Sequence, residues 1–111
     1  MECLSPLRNL RYILLLVPGL ALGAAQAADR SECMEQVRLH GLLSAARPVC
    51  PLTHYSKMFQ YKAESCEGVL GRADYRLLLS EGKAALDARI QELGREAVCS
   101  KIRKDFPWTV R

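Results

Sequence analysis

ILLLVPGLALGAAQAADRSEC, residues 13–33, decides how much of this 111-residue chain is left to fold and with how many cysteines. It follows MECLSPLRNLRY, which carries Arg8 and Arg11 and is net positive together with the amino terminus. An aliphatic run from Ile13 to Leu22 comes next, then small residues ending in Ala25-Gln26-Ala27. A positive start, an apolar centre and an A-x-A motif are the parts of a secretory signal peptide, so cleavage is expected after Ala27. A retained anchor fits less well. The uncharged run from Tyr12 to Ala28 is 17 residues, at the short limit for a membrane span, and Pro18-Gly19 interrupts it. Lipidation would need a cysteine directly after the small residues, whereas Asp29-Arg30-Ser31-Glu32 precede Cys33. Residues 1–27 are therefore read as a leader and 28–111 as one small domain, periplasmic or secreted, with no stable membrane anchor after cleavage. The Arg-rich, Ala/Leu-rich composition points to a bacterial source, and the mature segment has no asparagine and hence no N-glycosylation sequon.

Cleavage changes the cysteine arithmetic. Cys3 leaves with the leader, and Cys33, Cys50, Cys66 and Cys99 remain. An even count in a small exported chain reads as two disulfides. A domain of this size buries proportionally little surface, so covalent staples matter to its stability.

The segment after the leader reads as helix. Asp29-x-x-Glu32 is a helix-start signal with Ser31 as a second candidate cap. Cys33, Val37, Gly41 and Ala45 then share one face at spacings of four, with Gly41 placed to admit a close neighbour. Pro48 ends this helix near Ala46, and RPVCPLT is a loop. Thr53 is the expected cap of a second helix, in which Tyr55, Phe59, Ala63 and Cys66 form the stripe and Gly68 and Gly71 mark the end. A third helical region is expected from about Arg72 to Lys104, stopped by Pro107, with Ser80-Glu81-Gly82 as its candidate break. Its stripe is Leu79, Leu86, Ile90, Leu93 and Ala97, and Lys83–Asp87 and Lys101–Asp105 are i,i+4 charge pairs. No stretch alternates with the period of a half-buried strand. The expected fold is all-α, a disulfide-stapled bundle of three or four helices.

Helix geometry selects the disulfide pairing. A helix rises about 1.5 Å per residue, while bonded cysteines have Cα atoms about 4.4–6.8 Å apart. Cys33 and Cys50 flank the first helix, about 20 Å or more apart. Cys50 and Cys66 flank most of the second and are similarly separated. Two of the three pairings need one of those bonds, which leaves Cys33–Cys66 with Cys50–Cys99.

The same spacing argues against other uses of the thiols. No C-x2-C pair occurs, so neither a structural zinc site, a thioredoxin-type motif nor a haem attachment is expected, and no cofactor or metal is assigned. Ser31, Ser44, Ser56, Ser65, Ser80 and Ser100 sit in no G-x-S-x-G or S-x-x-K setting, and no Gly-rich phosphate loop or H-E-x-x-H occurs. His40 and His54 lie on the two sides of the first interhelical loop, where structural roles are expected for both. An enzyme is not expected. The formal charge of +4 is mild, whereas a dedicated nucleic-acid binder is more basic, so no nucleic-acid partner is expected.

The tail, CSKIRKDFPWTVR, is the candidate partner surface. Lys101, Arg103 and Lys104 accompany Phe106 and Trp108, the sole tryptophan. The competing reading is that the cations complement a helix C-terminus and the aromatics fold back over the core. The functional expectation is a non-enzymatic exported protein that binds a protein or envelope component, of inhibitor, immunity, chaperone-like or effector type. The alternative is a carrier of a small apolar ligand or lipid in a cavity between disulfide-braced helices.

Overall fold

A computed structural model describes residues 29–110. The expected leader, residues 1–27, and its expected cleavage site lie outside the described residues. The first helix, α1, covers residues 29–46. Asp29 and Ser31, read from the sequence as caps, are already helical. The helix stops at Ala46 because Pro48 follows, and its carbonyl accepts from Val49 N at 3.0 Å and Cys50 N at 2.7 Å.

The second helix, α2 (Lys57–Ser65), begins later than expected. Ser56, not Thr53, is its cap, accepting from Phe59 N at 3.1 Å. Thr53 is engaged elsewhere: its N–H and that of His54 both donate to Thr109 O, at 2.9 and 3.0 Å. A single turn, α3 (Glu67–Leu70), leads to Gly71, whose φ of 90° reverses the chain where a side chain would be strained. The long helix α4 (Arg72–Leu93) follows, then α5 (Arg95–Asp105) and a final 3-10 turn, η1 (Pro107–Val110). The architecture is all-α, and the described residues contain no strand.

The candidate break at residues 80–82 does not occur, and α4 runs through it. Ser80 donates to Leu77 O at 2.8 Å within its own helix, and Gly82 is a contact point rather than a breaker. A methyl group on Gly82 would overlap the Arg38 carbonyl oxygen and stand 2.7 Å from Leu42 N. One on Gly41 would overlap the Leu79 carbonyl, with Leu79 Cα at 2.9 Å. Two glycines, one on each helix, thus let α1 and α4 cross with their backbones touching. Arg30–Asp74 at 2.8 Å and Arg38–Glu81 at 3.0 Å flank the crossing. Residue numbers rise together in both helices, so they run in the same direction, and α2 is the antiparallel return between them. The break falls instead at Gly94, whose φ of 91° sends α5 off on a new axis.

On either side of the crossing lies a small core with its own disulfide. Val37, Leu70 and Leu78 pack round Cys33–Cys66. Leu42, Leu43, Leu52, Leu86, Val98 and Ile102 pack round Cys50–Cys99. The pairing is the one that helix length singled out, with Cα atoms 5.4 Å apart in both bonds. The bonds close loops of 33 and 49 residues, each worth about 3–4 kcal/mol by chain entropy. The α4 stripe is only partly the expected one. Leu78, Gly82 and Leu86 are buried, whereas Leu93 is 61% exposed and Ala97 is exposed, because the Gly94 turn hands the core to Val98, Cys99 and Ile102.

Two outcomes follow from this packing. Gly82→Ala should destabilise the oxidised protein by about 2–3 kcal/mol, as overpacking against backbone does. In thermal circular dichroism its Tm should fall by about 10–20 °C. Gly68→Ala, with nothing within 4 Å, should leave Tm level or slightly raised. Graded reduction with alkylation and mass mapping should open Cys33–Cys66 before Cys50–Cys99, because Cys50 and Cys99 are 1% and 3% exposed while Cys33 is only half-buried. The reverse order would mean that burial does not protect the second bond.

Candidate functional site

The crossing leaves a recess on each side. One, of about 660 Å³, is shallow and open, with His40 and Ser44 of α1 facing Ser80, Lys83 and Asp87 of α4. The other, of about 500 Å³, is a deeper groove where α1, α4 and α5 meet. Leu39, Leu42, Leu86, Leu93, Val98 and Ile102 line its floor and walls. Arg89, Glu92, Lys101 and Asp105 stand among the polar residues that border it. The groove exists because the close backbone approach at Gly41 and Gly82 sets the α1–α4 spacing while the one-residue Gly94 turn starts α5 on a new axis. Leu93, last residue of α4, is left 61% exposed at its edge.

The tail residues are distributed rather than gathered. Lys101 is exposed and pairs with Asp105 at 2.8 Å beside the groove. Lys104 is exposed. Arg103 is half-buried on another flank of α5, against the turn that holds Val49 and Pro51. Phe106 and Trp108 are half-buried and pack on the core around the second disulfide. Trp108 lies edge-on to Tyr55 at 5.4 Å, and beside Phe59 at 5.6 Å and Phe106 at 6.1 Å. Thr109, fully buried, holds this arrangement by donating through Oγ1 to Phe106 O at 2.7 Å while its own carbonyl takes the Thr53 and His54 amides. Trp108 therefore covers an aromatic-poor core, Phe106 both packs on that core and lines the groove beside Lys101, and Arg103 lies on a different flank of α5. Sequence reading missed the groove. Its signal was Leu93, an apolar residue directly before a helix-breaking glycine.

The histidines separate too. His54 is exposed ahead of α2. His40 is 8% exposed, and its Nδ1 lies 2.8 Å from the Tyr55 hydroxyl, with Ser44 Oγ at 3.4 Å. With neutral His40 assigned as the Nε2–H tautomer, Nδ1 accepts from Tyr55. Phe59 closes the other side edge-on at 6.1 Å, and the Arg47 guanidinium lies 5.1 Å over the Tyr55 ring. Burial holds the His40 pKa below its ordinary value, against the weaker opposing pull of Glu64. Burial also pushes the Tyr55 phenol up to about 12, so it stays a donor. Among the described residues no group of three or more His, Cys, Asp or Glu is placed to hold a metal ion. No helix among them is long and apolar enough to cross a membrane.

A histidine whose folded pKa is lowered takes up its proton less readily folded than unfolded. Its stabilising contribution is therefore complete above the unfolded value of about 6.5 and is lost as pH falls through the lower folded value. Urea unfolding between about pH 8 and pH 5 should show stability declining toward acid, and His40→Gln should flatten that slope. An equal slope in the variant would assign the acid sensitivity to carboxylates.

Compared with protein-family models, with curated proteins and with solved structures, the chain matches none of them.

Proposed function

We propose that this is an exported, non-enzymatic protein that binds another protein by taking an apolar segment into the α1–α4–α5 groove. The observation that carries this reading is Leu93, 61% exposed at the end of an apolar recess of about 500 Å³. An apolar side chain at the end of such a recess is the kind of feature a partner's side chains cover. The acids and bases along the groove suit a segment with an apolar face and charges of both signs on its flanks, as an amphipathic helix has. Two disulfides in so small a domain are compatible with an exported protein and support periplasmic or secreted localisation after leader cleavage. Cys50–Cys99 also ties the turn that ends α1 to α5, so two of the groove's walls are fixed to each other before binding and little reordering is required.

A second reading, a carrier of a small apolar ligand, draws on the same recess, whose volume falls within the range of small-molecule sites. The groove is open along one side, however, and a small ligand there would remain partly in water, whereas carrier sites enclose most of their ligand.

The test places a photo-crosslinking residue at Ala97, in the groove, and in a separate protein at Lys62, on exposed α2. Expressed in the native envelope, the Ala97 protein should crosslink to one partner whose linked peptide has an apolar face. The Lys62 protein should not, and Leu93→Glu should abolish the crosslink. Saturable uptake of a fluorescent fatty acid, blocked by Leu93→Glu, with no protein crosslink, would replace this reading with the carrier. N-terminal sequencing of the exported protein checks cleavage after Ala27.

A further inference from the structure

We propose that the flank of α5 facing the 47–51 turn is a phosphate-binding site built by Arg95 and Arg103. Arg95, Cys99 and Arg103 follow at spacings of four and share one stripe of α5. With Val49, Pro51 and Glu96 they line a recess of about 280 Å³, on a different flank of α5 from the apolar groove. Neither guanidinium is in an ion pair among the described residues, and Asp105, the acid nearest in sequence to Arg103, is taken by Lys101 at 2.8 Å. Arg103 Nη1 is buried and has no hydrogen-bond partner among them. A buried charged donor without an acceptor is costly, and a turn of the guanidinium toward an acceptor in the recess would remove that cost.

The chemistry of the donors selects the ligand. A carboxylate has two oxygens and matches one guanidinium fork. A phosphate has enough oxygens to meet two forks from different directions. Arg95 also opens α5, whose N-terminus has no side-chain cap, so the partial positive charge of the helix end adds to the two guanidiniums. Glu96 opposes them from the same recess and leaves a net single positive charge there. The covalent tie between Cys50 and Cys99 fixes the turn against the helix, so the recess is held in shape before any ligand arrives.

The test is an NMR titration of the oxidised protein with inorganic phosphate, against sodium chloride of equal ionic strength. The Arg95, Glu96 and Cys99 amides and the Arg103 Nε–H should shift saturably with phosphate alone. Arg103→Gln should weaken binding about tenfold or more, the effect of losing one charge-assisted hydrogen bond. Arg103→Lys, which keeps the charge and loses the fork, should also weaken it, and Glu96→Gln should tighten it. Arg95→Gln keeps the test valid if Arg103→Gln does not fold. Shifts that chloride reproduces, or equal affinity in wild type, Arg95→Gln and Glu96→Gln, would overturn the site. Co-sedimentation with phosphatidylcholine vesicles, with and without phosphatidic acid, then separates the sources. Sedimentation that needs phosphatidic acid and follows the same variant order identifies a lipid headgroup. Phosphate binding without sedimentation identifies a soluble phosphate.

Discussion

The contact on which the rest depends is backbone against backbone, where Gly41 and Gly82 let α1 and α4 cross with no side chain between them. Glycine in a helix interior is unfavourable by about 1 kcal/mol relative to alanine, so both helices give up propensity for this approach. The return is geometric. At this spacing Leu78 and Leu86, four residues to either side of Gly82, reach separate clusters, each completed by one disulfide. A wider crossing would detach those clusters from α1.

The disulfides act on the parts the crossing cannot hold. Cys33–Cys66 binds α1 to the end of α2, and Cys50–Cys99 binds the 47–51 turn to α5. Between those ties the Gly94 turn starts α5 on its own axis, and the groove and the arginine recess lie on different flanks of that one helix. The arrangement explains how a domain with few aromatics maintains open surface without collapsing onto it. The staples limit the unfolded chain, and Trp108, Phe59 and Tyr55 pack together on the cluster around the second disulfide.

His40 shows how a polar group is accommodated in so small an interior. It is buried as a neutral ring, partnered by a phenol that burial keeps protonated, and enclosed by Phe59 and Tyr55. Tyr55 is in turn edge-on to Trp108, so the histidine is linked through one hydrogen bond and one aromatic contact to the C-terminal turn. That turn is tied back to the first loop by Thr109, whose carbonyl takes two amides from residues 53 and 54. The first helix and the last turn are thus coupled although they are far apart in sequence.

Much of this was legible in the residues. The apolar period, the position of Pro48 and the rise of a helix were enough to place α1, the all-α class and the Cys33–Cys66 and Cys50–Cys99 pairing, because each depends on local covalent geometry. Gly41 was legible as a point of close approach, yet Gly82 read as a breaker and Gly94 passed as ordinary. A glycine's effect depends on whether a neighbouring backbone fills the space it leaves, and that neighbour is distant in sequence. The cap of α2 was misplaced from Ser56 to Thr53 for a related reason, since the Thr53 amide is taken by Thr109 from the far end of the chain. The tail allowed two readings, a basic and aromatic partner surface or aromatics folded over the core. Trp108 and Phe106 pack on the core, Phe106 and Lys101 also line the groove, and helical rotation puts Arg103 on another flank. The sequence by itself determined the helices and the staples that join them. Only the tertiary structure decided where apolar and charged surface is left over, because that depends on which faces the crossing angle leaves uncovered.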